Sequence, residues 1–186
     1  MASIHGTKTE KNLLAAFAGE SQARNRYTLF ASKARAEGFE LVAQIFEETA
    51  RNELAHAKRF FSFLEGYPVE ITATYPAGKV GTTLENLDAA RMGEDEEFST
   101  LYPQFAKTAA DEGFTAVAAV FNMIAAIEKD HRDRYQKYHD LVKAGWVWPT
   151  GGTQWFCTNC GYIYNGAQPP PNCPVCLEDK TYFTKL

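Results

Sequence analysis

Glu53-Leu54-Ala55-His56 recurs 75 residues later as Glu128-Lys129-Asp130-His131, and this repeat decides the fold. A Glu three residues before a His places both side chains on one face of a helix. The repeat extends beyond this motif: when residues 27–59 are shifted by 75 positions, fourteen residues coincide. The chain therefore contains two similar halves, each with one helix that presents a Glu and a His.

A Gly-Glu pair precedes each motif, Gly19-Glu20 in the first half and Gly93-Glu94 in the second. Both glutamates lie between apolar residues at helical spacing, so we expect their carboxylates to face the core. Carboxylates gathered in a core cost several kcal/mol for each uncompensated charge, and bound cations remove that cost. Four helices that each offer a Glu, two of them with Glu-x-x-His, predict a di-metal site inside a four-helix bundle. Carboxylates with two imidazoles favour Fe or Mn over Zn.

The third helix contains one extra residue, because the offset between the halves is 74 at Glu94 but 75 at Tyr102. Such an insertion is the usual origin of a π-bulge, which we predict between Glu94 and Pro103. The same stretch contains Glu97, a fifth candidate carboxylate with no acidic counterpart in the first half. Tyr102 and its repeat partner Tyr27 are predicted to donate hydrogen bonds to ligating carboxylates.

Periodicity and capping residues predict the bounds of the helices. Thr7 with Glu10 and Thr82 with Glu85 match the capping-box pattern at two helix starts. The segment 67–81 contains two Pro and two Gly residues and is expected to be a long crossover between the second and third helices. The predicted helices span about 7–36, 40–64, 82–111 and 114–144.

Composition limits the classes of function. With 186 residues, 45% of them hydrophobic, the chain can bury one core and carry a small appendage. A net charge of −4 and a pI near 5.6 argue against nucleic acid or an anionic membrane as partner. No apolar run indicates a signal peptide or a membrane span, so we expect a soluble cytoplasmic protein.

The C-terminal region contains two CxxC pairs separated by twelve residues, Cys157 with Cys160 and Cys173 with Cys176. In a cytosolic protein this pattern indicates a tetrahedral thiolate metal site rather than disulfides. Zinc is the commonest metal on four cysteines, but the surrounding aromatic residues favour a redox-active iron. We expect a helical bundle over residues 1–146, a linker over 147–153 and a small metal domain over 154–186.

Taken together, these motifs resemble those of the rubrerythrin family over essentially the whole chain. The resemblance implies an all-α four-helix ferritin-like bundle followed by a small rubredoxin-like four-cysteine domain. It implies three irons per chain, two in the bundle and one on the four thiolates, in a homodimer or a larger assembly. It also implies reduction of hydrogen peroxide to water, with electrons relayed through the four-cysteine iron. The implied electron donor is rubredoxin or an NAD(P)H-dependent rubredoxin reductase.

Carried over residue by residue, the resemblance implies that Glu53 and Glu128 bridge the two irons of the bundle. His56 would replace Glu97 when the site is reduced, which leaves two Fe(II) with four coordinated carboxylates and no net charge. The terminal ligands would be Glu20 and Glu97 on one iron and Glu94 and His131 on the other. The residues expected to act in catalysis are Glu97, His56, Tyr27 and Tyr102. The ligands of the third iron would be Cys157, Cys160, Cys173 and Cys176.

Leu177 departs from the rubredoxin pattern, which commonly has Gly after the second CxxC pair. A left-handed conformation at this residue would cost about 1–2 kcal/mol. Two alternative functions remain open: an iron-oxidising or iron-handling bundle, and a non-enzymatic bundle with a structural zinc ribbon. The four-cysteine domain disfavours iron storage, because storage needs no one-electron relay.

Overall fold

The structure, a computed structural model, describes residues 3–145 and 154–185. The helices are α1 (Lys8–Ala36), α2 (Glu40–Phe61), α3 (Thr83–Glu96), α4 (Tyr102–Asp111) and α5 (Thr115–Lys143). Helices α1 and α2 form the first half, and helices α3, α4 and α5 form the second. A π-helical turn joins α3 to α4 without a break, so that five helical segments build the four-helix bundle that the sequence predicts. The predicted linker 147–153 lies outside the described residues.

The capping predictions are right at one helix start and half right at the other. Thr82 accepts a hydrogen bond from the backbone N–H of Glu85, whose carboxylate accepts one from the N–H of Thr82, so the capping box is complete. Thr7 accepts from the N–H of Glu10, but the Glu10 carboxylate accepts from the N–H of Gly6 instead. The prediction for the end of α2 is wrong by three residues, because the helix stops at Phe61.

Two aromatic clusters occupy the bundle core, one on each side of the glutamates along the helices. In the first, the ring of Phe60 stacks on Phe121 with centroids 4.8 Å apart. In the second, Phe46 packs against Tyr135 at 5.2 Å. These packed rings exclude water from the layer between them, and the polar side chains of that layer therefore lie in a low-dielectric environment.

The repeated Glu-Gly-Phe turns connect the two halves of the bundle. Glu37, which follows α1, accepts hydrogen bonds from the N–H and the hydroxyl of Thr83 at the start of α3, at 2.8 and 2.7 Å. Glu112, which follows α4, accepts from the N–H and the hydroxyl of Thr9 at the start of α1, at 2.9 and 2.6 Å. The bonds from Thr83 and Lys33 lower the pKa of Glu37 to about 2. Each carboxylate thus stabilises a helix N-terminus of the other half.

The C-terminal segment forms three short antiparallel strands, β1 (Gln154–Cys157), β2 (Ile163–Asn165) and β3 (Phe183–Lys185). They pair in the order β2-β1-β3. The interior of this sheet domain consists of Cys157, Cys173 and Phe183, which is too small an apolar core to stabilise a fold without a metal. No helix in the described ranges has the length and apolar character needed to cross a bilayer.

Candidate metal centres

Six side chains meet at the centre of the bundle in two overlapping groups. Within each group the potential ligand atoms lie within 4.8 Å of one another. Glu53 of α2 and Glu128 of α5 belong to both groups, as the bridging role expected for them requires. All six are buried, and His56, the most exposed of them, is only 7% exposed. The groups are Glu20, Glu53, His56 and Glu128, and Glu53, Glu94, Glu128 and His131.

The short contacts between the two histidines and Glu128 are not hydrogen bonds. Nδ1 of His56 lies 2.9 Å from Oε1 of Glu128, and Nδ1 of His131 lies 2.8 Å from Oε2 of the same residue. Among the described residues, neither Glu128 oxygen has a hydrogen-bond partner, so these nitrogens do not point a proton at them. Two ligand atoms about 2.1 Å from one metal ion in adjacent positions are about 3 Å apart. The contacts therefore fit two ligands that converge on one metal ion.

Three further buried carboxylate oxygens, Oε2 of Glu20, Oε1 of Glu53 and Oε2 of Glu94, have no hydrogen-bond partner within residues 3–145 and 154–185. Unpaired carboxylate oxygens in a dry core are strongly unfavourable. Two cations would satisfy all of them at once. The donor set therefore fits a pair of metal ions better than a set of ion pairs.

The pKa values in this layer indicate how its glutamate and histidine side chains are protonated when no cations are bound. Burial, with the negative charge of Glu53, raises the pKa of Glu20 well above its ordinary value. Burial opposes the charged form of His131, but contacts with Glu128 and Glu53 raise its pKa to about 12. The pKa of His56 is raised in the same way. The metal-free layer therefore holds protons that bound cations displace.

In each half of the chain, a tyrosine hydroxyl donates a hydrogen bond to a buried carboxylate of the other half. The hydroxyl of Tyr27 donates to Oε1 of Glu94 at 2.6 Å, and the hydroxyl of Tyr102 donates to Oε1 of Glu20. Both tyrosines are fully buried. The tyrosines thus donate to two of the glutamates predicted to be ligands, and these bonds leave the second oxygen of each glutamate free for a metal.

The predicted π-helical turn is present over Glu97–Leu101, whereas α1 is a regular α-helix throughout. Glu97, its first residue, is half-buried and belongs to neither ligand group. Its Oε1 lies 3.5 Å from the hydroxyl of Tyr102. Burial and the charge of Glu20 raise its pKa well above the ordinary value. The structure thus places His56, and not Glu97, in the first group; the predicted exchange between them stays a prediction.

Asn52 is a site residue that the sequence did not reveal. Its side-chain nitrogen lies 3.2 Å from Nε2 of His131. After a 180° rotation of the amide, the side-chain oxygen of Asn52 occupies the same position and can accept a hydrogen bond from Nε2–H of His131. That bond leaves Nδ1 of His131 without a proton and available as a metal ligand. In the part of the chain that the structure describes, no side chain makes a hydrogen bond to Nε2 of His56. The available signal was a break in the repeat, where Asn52 maps onto Ile127.

The four cysteines of the small domain also converge. Sγ of Cys157 is 3.7 Å from that of Cys176, and Sγ of Cys160 is 3.6 Å from that of Cys173. Four sulfurs about 2.3 Å from a common ion in tetrahedral geometry are about 3.8 Å apart. All four thiols are free of disulfides. Leu177 has φ +65°, which confirms the left-handed conformation anticipated there.

Comparisons with known proteins agree with these two centres. The rubrerythrin family model matches residues 11–139, and the model for the rubrerythrin rubredoxin-like domain matches residues 155–184. The chain belongs to the rubrerythrin family. It is 54% identical over 185 residues to a rubrerythrin of Porphyromonas gingivalis, covering 99% of this chain and 92% of that protein. It is 46% identical over 187 residues to a rubrerythrin of Nitratidesulfovibrio vulgaris, covering 100% and 98%.

A solved structure of the fully reduced, all-ferrous state of nigerythrin is also similar, with 32% sequence identity and a TM-score of 0.66. The match covers 98% of this chain and 91% of that one. Rubrerythrins combine a di-iron carboxylate site with a four-cysteine rubredoxin-like site, which confirms the predicted fold class and cofactors. Members of the family are generally oxidoreductases.

Proposed function

We propose that this rubrerythrin is a cytoplasmic peroxidase that reduces hydrogen peroxide to water and protects against oxidative stress. The observation that carries the proposal is the overlap of the two ligand groups, with Glu53 and Glu128 in both. Two irons held by these shared carboxylates would supply two electrons to one bound molecule, which is the number that peroxide reduction needs. The reaction consumes two electrons and two protons, breaks the O–O bond and forms two waters.

Glu97 is the residue best placed to supply a proton to the departing oxygen. Burial and the charges of Glu20 and Glu94 raise its pKa above the ordinary carboxyl value, which favours the protonated form. It lies outside both ligand groups, beside the hydroxyl of Tyr102. A carboxyl group with a raised pKa is suited to act as a general acid.

The exchange of His56 for Glu97 has support in the asymmetry of the two histidines. The contact between Asn52 and Nε2 anchors His131, whereas His56 has no such anchor in the described residues. The hydroxyl of Tyr102 contacts both Glu20 and Glu97, so Glu97 is one side chain away from a ligand. When the charge of the centre rises by two on oxidation, an anionic carboxylate becomes a better ligand than a neutral imidazole. His56 is therefore the histidine that we expect to leave.

The four-cysteine domain is proposed to be the path by which electrons reach the bundle. A thiolate iron exchanges single electrons, which suits a donor such as rubredoxin or an NAD(P)H-dependent rubredoxin reductase. A homodimer or larger assembly would let the domain of one chain serve the bundle of another. Four reduced cysteines arranged as two CxxC pairs are consistent with the cytoplasm.

The test is a titration of anaerobically reduced, iron-loaded protein with hydrogen peroxide, followed by optical spectroscopy. We expect about three peroxide molecules consumed for every two chains, because each chain then holds three reducing electrons, two on the bundle irons and one on the thiolate iron. Turnover should be sustained when reduced rubredoxin is present. Glu97→Gln should slow the reaction, whereas Glu96→Gln, at the exposed neighbouring position, should not. Reaction with dioxygen but not peroxide, together with oxidation of added Fe(II), would establish the iron-handling alternative. Zinc on the cysteines of protein made with ample iron would exclude the relay.

A further inference from the structure

A cavity of about 800 Å³ lies between α1, the π-helical turn, α4 and part of the crossover, residues 70–76. Glu97 and the buried Tyr102 line its inner end. Tyr102 donates to Glu20, so this end of the cavity is one side chain away from the ligand groups. The hydroxyl of Tyr75 donates to the carbonyl oxygen of Ala15 at 2.8 Å and fixes the crossover on α1.

The size and the walls of this cavity exceed what hydrogen peroxide needs. Hydrogen peroxide has two heavy atoms, whereas sites for organic ligands have volumes of about 300–1,000 Å³. Polar and charged side chains line part of the cavity, and the rest is apolar. The apolar lining residues include Ala15, Ala16, Ile71, Pro76, Leu101 and Phe105. A hydrocarbon group can lie against this wall while a polar group faces Glu97.

Gly19 and Gly93 line the cavity, although the backbone conformation at these positions does not require glycine. A Cβ at Gly19 would lie 3.6 Å from Cε1 of Tyr75 and 3.7 Å from Oε1 of Glu97, which are ordinary contacts. Gly93 lines the same cavity, and neither glycine has a positive φ. Alanine would therefore fit at both positions and favour the helix more than glycine does. Glycine at position 19 adds free volume next to Glu97, and glycine at position 93 adds free volume next to Arg26.

We propose that this cavity binds alkyl and aryl hydroperoxides, with the hydrocarbon group against the apolar wall and the O–O group toward Glu97. The inference rests on the proposed peroxidase function and extends its substrate class. One hydroperoxide takes up two electrons and two protons; the O–O bond breaks, the C–O bond is kept, and an alcohol and a water are formed. The electrons come one at a time from the same donor protein as for hydrogen peroxide.

Binding is tested without turnover by titrating cumyl alcohol, the product of cumene hydroperoxide, into the iron-loaded protein in a calorimeter. Saturable binding is expected in the wild type. Ala15→Leu fills the apolar wall and should weaken binding about tenfold or more. Ala119→Leu introduces the same side chain at an exposed position of α5 and should bind as the wild type does. Equal binding by both variants, or no binding by the wild type, would overturn the inference.

Turnover is measured as the ratio of kcat/KM for cumene hydroperoxide to kcat/KM for hydrogen peroxide. The ratio should fall about tenfold in Ala15→Leu and about threefold in Gly19→Ala, and should stay unchanged in Ala119→Leu. Gly19→Ala is included as a second variant that should fold well, because alanine has a higher helix propensity than glycine. If hydrogen peroxide is reduced and cumene hydroperoxide is not, the inference is wrong while the proposed function stands. If neither peroxide is reduced, the inference and the proposed function are both wrong.

Discussion

The hydroxyl of Tyr27 in the first half of the chain donates a 2.6 Å hydrogen bond to the carboxylate of Glu94 in the second half. Tyr102 and Glu20 repeat this relationship with the halves exchanged. Each half therefore orients a candidate metal ligand of the other, and neither half can complete the site alone. Formation of the site and packing of the two halves are consequently coupled.

Removal of one of these donors should destabilise the metal-free bundle. Tyr27→Phe leaves an oxygen of Glu94 buried without a partner, at a cost of about 1–3 kcal/mol in the free energy of unfolding. Urea denaturation of the metal-free protein measures this loss. Tyr67→Phe is the control, because Tyr67 is 56% exposed. Equal stability of the two variants would show that the hydroxyl of Tyr27 does not hold Glu94.

The metal-free bundle should lose stability as pH rises from about 5 to 8, opposite to the trend expected where carboxylate pKa values are lowered. Burial raises the pKa of Glu20, Glu94 and Glu97, and contacts with carboxylates raise that of His131 to about 12. A raised folded-state pKa gives stability that is complete below the unfolded-state pKa and is lost as pH rises above it. The folded state therefore binds more protons than the unfolded state across this window.

Urea denaturation at several pH values between about 5 and 8 checks this pH trend. Iron loading should release the bound protons, which calorimetry in buffers of different ionisation enthalpy detects. Iron-loaded protein should accordingly show little or none of the decline. A metal-free protein that becomes more stable toward pH 8 would contradict the protonation of the site.

The two turn carboxylates that join the halves should contribute equally to stability. Glu37→Ala and Glu112→Ala each remove an acceptor at the start of a helix, and each should cost about 1 kcal/mol, the usual loss for a helix cap. Glu70→Ala serves as the control, at an exposed position of the crossover. Thermal unfolding gives the three values. A loss in only one turn variant would show that the repeated turns differ in function.

Asn52 should control iron affinity at the His131 side of the centre. Residues that orient a metal ligand typically contribute 10- to 100-fold in affinity, and Asn52→Ala should weaken iron binding by about that factor. Ile127→Ala, at the matching position of the other half and 40% exposed, is the control. Competition with a chelator measures both. Unchanged affinity in Asn52→Ala would remove the proposed reason why His56, and not His131, exchanges.

Leu177 should be replaceable by glycine with a gain in stability of the small domain. Its left-handed conformation costs about 1–2 kcal/mol, and the greater freedom of glycine in the unfolded chain offsets about 0.4–1 kcal/mol of the relief. The loss of thiolate-iron absorbance on heating measures the result. A lower transition temperature in Leu177→Gly would show that the exposed side chain stabilises the domain.

The features that the sequence alone determined are local. Glu53 with His56 and Glu128 with His131 share a helix face because three residues nearly complete one helical turn. The π-helical turn follows from a one-residue difference in offset between the halves, which can be counted without coordinates. The four-cysteine site can also be predicted from local sequence, because the two cysteines of each CxxC pair are only three residues apart.

The remaining features of the site depend on contacts between helices that are distant in sequence, and these contacts are visible only in the folded protein. The pairing of Tyr27 with Glu94 spans 67 residues, and the contact of Asn52 with His131 spans 79. Neither the position of Glu97 outside the ligand groups nor the cavity beside it follows from helical spacing. Periodicity determines which side of a helix faces inward, but the depth and rotation of each helix in the bundle arise from side-chain packing across it.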